Sequence, residues 1–425
     1  MDDFDSAIDY LYSLGNEIAA MKLGTESLLP ILESLGQPER QLRVVHVAGT
    51  NGKGSFCAML SCVLRACNIQ TGVYTSPHLS NITERIVLNG EPISKVEFVY
   101  HLNRIRKTIE GQPTRPSFFE HLTLLALDFF AKKHPELTIL EVGMGGRLDA
   151  TNVVTPLLSV ITSIDFDHCQ YLGNSLAEIA TEKAGIIKQG RPVLVYQQHS
   201  EAEKVISAKT ARLGAPILRP LQIDAEAHSD GRYRISAVGN LGRYDTVIGL
   251  RGIHQIECAA AVIRAAEYLA DLGLPITAEG VCKGIKQANW PGRLESFRID
   301  SRQILLDGAH NPAGIMTLRR FLDDWYADRK KILLFAAMRD KAVEEMLSLL
   351  DNRFESIILV RRNDPRSFNP EAYLSNRSLI AEGAKDALSA ALQLAQTSAL
   401  IVCCGSLHFI GELRELIMER QRCMT

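Results

Sequence analysis

The stretch Gly49-Thr50-Asn51-Gly52-Lys53-Gly54-Ser55 holds residue types suited to phosphate chemistry. Its three glycines, within six positions, leave the backbone bare enough to curl around an anion. Main-chain N–H groups of such a loop point inward, and the dipole of a following helix favours negative charge there. Lys53 would lie along the β- and γ-phosphates of a nucleotide, and the Ser55 hydroxyl would hold Mg²⁺ or a phosphate oxygen. The spelling departs from the general P-loop: Val47 stands where that pattern has its first Gly, and Gly54 separates Lys53 from Ser55. A plain strand-to-helix turn would also use glycine. The succession of strand, glycine turn, Lys, hydroxyl and helix favours a phosphate loop.

Other candidates follow along the chain. Ser76 falls at the carboxyl end of a short strand, where open α/β sheets bind ligands, and its hydroxyl could complete an Mg²⁺ octahedron. A bare Ser-Pro turn explains it equally well. Glu141 ends an apolar strand before Gly143-Met144-Gly145-Gly146, placed like the acid that holds Mg²⁺ in P-loop enzymes. His168 alone is a weak metal signal, because imidazole suits transition metals better. On residue type alone, Lys183 and Arg293 read as surface cations, Phe118 as the start of a core helix, and Asp307 as a turn or cap.

These residues must be positioned by alternating strands and helices. Residues 1–42 read as helical, and strands are expected at 44–48, 72–75, 137–141 and 157–164. Helices are expected from 55 to about 68, over 122–131 and over 176–188, with another starting near 251–260. Residues 191–250 read as strand-rich, a small antiparallel excursion. Pro291 and Gly292 mark a linker at 289–295. Beyond it, strands at 303–307, 331–335, 356–360 and 400–404 alternate with helices near 312–325, 342–352, 383–396 and 407–421, which implies a mostly parallel sheet. The fold class is α/β, in two domains, 1–290 and 291–425.

A chain of 425 residues exceeds one ordinary core. A net charge of -2 argues against a nucleic-acid binder relying on bulk charge. No apolar run reaches membrane-spanning length, and the acidic start lacks the regions of a signal peptide. Nine cysteines without CxxC spacing suggest reduced thiols in the cytoplasm, most of them buried as small hydrophobes.

The spelling Gly-Thr-Asn-Gly-Lys-Gly-Ser resembles the ATP loop of the Mur ligase superfamily, and within it the folylpolyglutamate synthase/dihydrofolate synthase family. Thr75-Ser76-Pro77-His78-Leu79, Glu84-Arg85-Ile86, Glu182-Lys183-Ala184-Gly185-Ile186, Pro291-Gly292-Arg293 and Asp307-Gly308-Ala309-His310-Asn311-Pro312 follow in that family's order. The resemblance implies a P-loop ATPase domain followed by a smaller Rossmann-like domain. It makes Ser76, Glu141 and His168 ligands of two Mg²⁺ ions, with Lys183 carbamylated by CO₂ as a further ligand. Asn51 to Ser55, position 258, Arg293, Asp307 and His310 would hold ATP, with Lys53, Lys183, His168 and Arg293 catalytic. Phe118, Phe119, Glu120, Leu148, Asp149 and Ala150 would hold a pterin, Asp149 through its ring edge. Gly405-Ser406-Leu407 would lie near a glutamate pocket.

Two departures stand out. The family has Asn at position 258 against the adenine, and this chain has Cys258, a weak donor and acceptor; Gln255 is a candidate to compensate. Gln170 replaces the usual acid two residues after His168. The implied activity is ATP-dependent ligation of L-glutamate to dihydropteroate and to reduced folates, by a monomer, with no nucleic-acid or membrane partner. Alternatives are a single one of the two activities, a cell-wall precursor ligase, a folate-binding relative without turnover, or an ATP-driven switch.

Overall fold

The computed structural model describes residues 3–15, 24–112 and 115–422. Strands β1 (Val44–Ala48), β2 (Thr71–Tyr74), β3 (Ile86–Leu88), β4 (Glu91–Pro92), β5 (Leu137–Glu141), β6 (Leu158–Ile161), β7 (Val193–Val195) and β8 (Ile217–Leu218) form one sheet in the order β4-β3-β2-β5-β1-β6-β7-β8. From β2 to β8 the pairs are parallel, and β1, β2, β5, β6 and β7 are buried along their whole length. Continuous apolar runs such as Val44-Val45-His46-Val47-Ala48 suit strands covered on both faces. Helices Lys53–Ala66, Gln255–Asp271 and Ala278–Gln287 cover one face; Lys95–Ile109 and Phe118–Lys133 pack with Phe4–Ser13 on the other.

Register explains why this sheet can carry a site. Val47 pairs with Glu141, Ala48 with Ile161, and Tyr74 with Leu140, so β1, β2, β5 and β6 release their loops at one edge. The sequence places phosphate loop, Ser76, Glu141 and His168 far apart; parallel pairing gathers their segments at the carboxyl ends of the strands, where such sheets bind ligands.

The excursion expected over 191–250 is smaller than the sequence suggests. β7, the helix Ser200–Leu213 and β8 extend the large parallel sheet, and only β9 (Asp224–Ala227), β10 (Tyr233–Gly239) and β11 (Gly242–Val247) make the antiparallel sheet. The helix is polar on most of its surface, burying Ala202, Ile206 and Thr210 at four-residue spacing, so its apolar stripe is thin. The strand expected over 157–164 stops at Ile161, because the chain then bridges back from Ser163 to Asn51. The helix expected to reach 188 ends at Lys183, followed by a single tight turn, Ala184–Ile186. Of the helical reading at 1–42, Phe4–Ser13 and Leu29–Ser34 are α-helical; residues 1–2 and 16–23 lie outside the described residues.

After residue 290, β12 (Glu295–Ile299), β13 (Arg302–Leu306), β14 (Lys331–Phe335), β15 (Ser356–Arg361), β16 (Ser378–Glu382) and β17 (Leu400–Cys404) form a second sheet in the order β12-β13-β17-β14-β15-β16. β12 and β13 make an antiparallel hairpin and the other pairs are parallel. β12 and β16 lack the unbroken apolar run of their neighbours, which hid them in the sequence. Separate apolar cores line the two faces. Among the described residues, no helix is long and apolar enough to cross a membrane. The eight described cysteines are free thiols, five of them buried; Cys423 lies outside the described residues.

Candidate active site

A cavity of about 1070 Å³ opens where the loops of the two sheets meet. Its floor is the phosphate loop. Gly52, at φ 89, turns the chain into the helix Lys53–Ala66 with no side chain capping that helix, so its first N–H groups remain available to an anion. Gly49 must lack a side chain, because a Cβ there would stand 1.8 Å from the Thr162 hydroxyl. That close approach locks the loop to the segment after β6: Thr50 N donates to Ser163 O at 2.8 Å, and the Thr162 hydroxyl donates to Asn51 O at 2.8 Å.

Two lysines meet at this loop. Lys53 Nζ donates to Gly49 O (3.1 Å) and Thr50 O (3.2 Å), and it stands 4.0 Å from the Glu141 carboxylate. Lys183 Nζ donates to the same Gly49 O at 2.8 Å. Burial, reinforced by the charge of Lys53, pulls Lys183 down to about 7, so a neutral amine is accessible near neutrality. Burial pushes Glu141 up to about 7 against the opposing pull of Lys53. Its one close backbone partner is the N–H of Ser76, at 3.4 Å.

His168 caps a one-turn helix, Cys169–Leu172, with φ 51. Burial holds it near pKa 4, hence neutral, and its Nδ1 has no hydrogen-bond partner among the described residues. The neighbouring Asp167 is fully engaged: one oxygen takes Lys341 Nζ at 2.5 Å, and the other takes Asn311 Nδ2 at 3.1 Å. Burial alone would raise this carboxyl, but His310, whose Nε2 stands 3.6 Å away, and the Lys341 ammonium hold it well below the usual carboxylate range. Asn311 also exchanges amide hydrogen bonds with Asn51, at 3.1 and 3.3 Å, so the second sheet's loops touch the phosphate loop directly. Asp167 and Lys341 were not singled out from sequence. Asp167 adjoins His168, which was a usable signal; Lys341 lies in a charged loop without one.

Free donor atoms decide whether a hard divalent cation suits this place. Among the described residues there is no closed cluster of three or more His, Cys, Asp or Glu. Mg²⁺ bound with a nucleotide needs only one or two protein ligands beside phosphates and waters. The weakly partnered Glu141 carboxylate and the orphaned His168 nitrogen fit that requirement.

The rest of the lining comes from both sheets. Cys258, Arg293, Asp307 and His310 reach the cavity, as do Ser55 and Ser76. Asp307 accepts from Leu294 N and Ala309 N, each at 2.9 Å, and burial raises its carboxyl against the pull of Arg293. Phe118 and Phe119 are core residues that also line the cavity. Phe118 stacks on Tyr12 at 5.7 Å, and the Arg85 guanidinium lies 5.5 Å from its ring centre.

Glu120, Leu148, Asp149 and Ala150 do not line the cavity. Glu120 closes a capping box with Ser117 (2.6 Å) and takes the Ser27 hydroxyl at 3.0 Å. Asp149 accepts from Met144 N, Thr151 N and the Thr151 hydroxyl, at 2.9, 2.9 and 2.5 Å, and is buried. These three bonds tie Asp149 to the glycine loop after β5.

The chain matches the Mur ligase middle domain over residues 47–266 and the Mur ligase glutamate ligase domain over 292–407. It is 35% identical over 413 residues to the dihydrofolate synthase/folylpolyglutamate synthase of Bacillus subtilis, covering 93% of this chain and 95% of that protein. It is 32% identical to the folylpolyglutamate synthase of Lacticaseibacillus casei, covering 92% and 94%. Among solved structures, Mycobacterium tuberculosis folylpolyglutamate synthase complexed with ADP superposes with a TM-score of 0.88 at 30% identity, covering 98% of this chain and 99% of that one. Escherichia coli FolC in complex with DHPP and ADP gives 0.88 at 28%, covering 99% and 98%. A phosphate loop at the switch point of a parallel sheet, facing a second α/β sheet across one cavity, defines an ATP-dependent ligase of the Mur type. The chain belongs to the dihydrofolate synthase/folylpolyglutamate synthase family of Mur ligases.

Proposed function

We propose that the protein uses ATP to join L-glutamate to dihydropteroate, forming dihydrofolate, and to reduced folates, lengthening their glutamate chain. The observation that carries this reading is the single cavity onto which the phosphate loop, Glu141, Lys183 and the Asp307–His310 edge all open. Relatives spanning nearly the whole chain carry both activities in their names, and related structures hold ADP or AMPPCP.

The acceptor's carboxylate oxygen attacks the γ-phosphorus, and the bond to the leaving ADP oxygen breaks. Lys53 and Arg293 stabilise the charge that accumulates on the phosphoryl oxygens. The acyl phosphate then meets the neutral amine of glutamate; the new C–N bond forms, phosphate leaves, and the amine gives up a proton. Neither step needs an enzyme nucleophile. Mg²⁺, when bound by Ser76, Glu141, His168 and Lys183, neutralises phosphate charge. The lowered pKa of Lys183 supports its reaction with CO₂, which requires the neutral amine and turns a cation into an oxygen ligand. Asn51 to Ser55 cradle the phosphates, Asp307 accepts from the ribose with His310 beside it, and Phe118 and Phe119 face the pterin. Residues 1–290 act as the ATP-binding unit and 291–425 as the glutamate-ligating unit, and water is excluded where they meet.

The test is phosphate release with Mg-ATP and L-glutamate, with 7,8-dihydropteroate or a tetrahydrofolate as acceptor, and product mass read alongside. Turnover with both classes is expected. Turnover with one class restricts the activity to that half. Phosphate release independent of acceptor and glutamate overturns the ligase reading in favour of an ATP-driven switch.

A further inference from the structure

The linker between the two sheets is built as a rigid corner. Trp290, Pro291, Gly292 and Arg293 form a β-turn of type II: Arg293 N donates to Trp290 O at 3.3 Å, Pro291 holds the second position, and Gly292 takes the third at φ 72. Proline presets its own φ, and a side chain at the third position would be strained, so the turn has little freedom to change shape. The corner is also pinned to the second sheet. Gly308 N donates to Gly292 O at 2.7 Å, and Gly292 N donates to the Glu295 carboxylate at 2.8 Å, which in turn takes the Arg414 guanidinium at 3.0 Å.

The first residue of the turn meets the phosphate loop. The Trp290 indole lies against Gly54, where a Cβ would stand 2.8 Å from its Nε1 and 3.1 and 3.2 Å from two ring carbons. These are ring atoms of a half-buried side chain packed against the core, so they cannot swing aside as a flexible chain end would. The contact accounts for the glycine between Lys53 and Ser55, where the general P-loop places its hydroxyl residue. The fourth residue of the turn, Arg293, faces the cavity. Its guanidinium is closely walled as well: a Cβ on Gly308 would stand 2.6 Å from Arg293 Nη1. Against the larger effect of burial, its charge lowers the carboxyls of both Glu141 and Asp307, one on each side of the cavity.

We propose that Trp290 is a positioning residue: its indole, seated on Gly54, fixes through the turn where the Arg293 guanidinium stands relative to the phosphate loop. It acts through Arg293 rather than on the substrate. The loop belongs to the first sheet and the turn is anchored on the second, so the indole is what registers one against the other. Without it the turn keeps its shape but loses its reference to the loop, and Arg293 strays from the γ-phosphate. A misplacement of about 1 Å at a reacting group costs as much as roughly 10²-fold in rate. The proposal rests on the reading that Arg293 meets the γ-phosphate of ATP.

The test is a double-mutant cycle on the full chain, with Trp290→Ala and Arg293→Ala made singly and together. It reads the dissociation constants of ADP and AMPPCP and the kcat for glutamate-dependent phosphate release. Trp290→Ala is expected to weaken AMPPCP, which carries a γ-phosphate, roughly fivefold, to move ADP less than about twofold, and to lower kcat roughly tenfold. In the Arg293→Ala background the same substitution is expected to change AMPPCP binding and kcat by less than about twofold, because the group it positions is gone. Trp290→Phe, which keeps a flat ring over Gly54, is expected to recover most of the loss. Equal weakening of ADP and AMPPCP, the same loss in both backgrounds, or no loss at all overturns the proposal. If Trp290→Ala does not fold, Trp290→Leu keeps an apolar side chain and takes its place in the cycle, with the same outcomes deciding. An unaltered protein whose phosphate release ignores glutamate defeats the ligase reading, while the AMPPCP arm still decides this proposal. Normal ligation with additive losses defeats this proposal alone.

Discussion

The cavity's phosphate wall and the segment after β5 that borders it are both rich in charged and polar residues, yet those groups are engaged differently. On the phosphate wall, Lys53 and Lys183 fold back onto main-chain carbonyls, Glu141 has one long backbone hydrogen bond, and His168 keeps an orphaned nitrogen. By contrast, Asp149 in that segment accepts from three protein donors, and Glu120, on the helix Phe118–Lys133, from two, at 2.5–3.0 Å. Glu141, Lys183, Asp149 and Glu120 are all buried, and Lys53 and His168 are half-buried. A buried polar group that lacks good partners stores a demand that a ligand can meet; one with full partners holds the scaffold in place.

If that difference is functional, substitutions on the two sides must fail in different ways. The largest effect is expected at the phosphate wall. Lys53→Ala or Glu141→Gln should lower kcat for glutamate-dependent phosphate release about 10³-fold, with the urea midpoint little changed. A midpoint that collapses along with activity would make these residues structural instead. Lys183→Ala should cost about 10²-fold or more in kcat. In the unaltered protein, removing CO₂ and bicarbonate should lower activity reversibly, and intact mass in non-acidic solution should show one added CO₂. A native mass identical to the bare chain, under replete CO₂, rules that modification out.

Across the boundary the expected loss is stability. Asp149→Asn replaces one accepting oxygen with a donating NH₂ turned towards donors, and should cost about 1–3 kcal/mol by chemical unfolding. Glu120→Ala removes a capping box and the Ser27 bond, and should cost about 1–2 kcal/mol. In both variants the KM for the acceptor should move less than twofold, by the rough standard of a residue that touches no ligand. A tenfold rise in KM at Asp149 would restore it to the binding site.

A pH-dependent effect is expected at His46, buried in β1 with its Nε2 2.8 Å from the Thr151 hydroxyl that Asp149 also holds. Burial, aided by the charge of Lys188, lowers its pKa to about 3. The unfolded chain takes up a proton near pH 6.5 while the folded chain does not, so stability is lost as pH falls from about 6.5 towards 3. The slope contributed by one such group is at most ~1.4 kcal/mol per pH unit. His46→Gln should flatten the curve in that window, read from urea midpoints at stepped pH; an unchanged slope would mean that His46 already titrates near its ordinary value.

Much of this was legible in the chain. The strand–glycine–lysine–helix succession specified the phosphate loop because its geometry is local: a few glycines and one helix start suffice. The apolar runs of β1, β5, β14 and β17 and the Gly-Pro breaks specified a parallel α/β protein for the same reason. The helix Ser200–Leu213 and the edge strands were missed where the apolar signal thins out on half-exposed elements.

What residue types cannot announce is which of their hydrogen-bonding capacity is already used. Asp149 and Glu141 look alike in sequence, each an acid beside a glycine-rich loop. Only the fold turns one onto Thr151 and Met144 and leaves the other buried beside Lys53. The same holds for Asp167 and Lys341, separated by 174 residues and joined across the two sheets. The phosphate loop and the fold class were written locally; the division of buried polar groups between scaffold and site depends on long-range packing, which alone decides how each is solvated and what it meets.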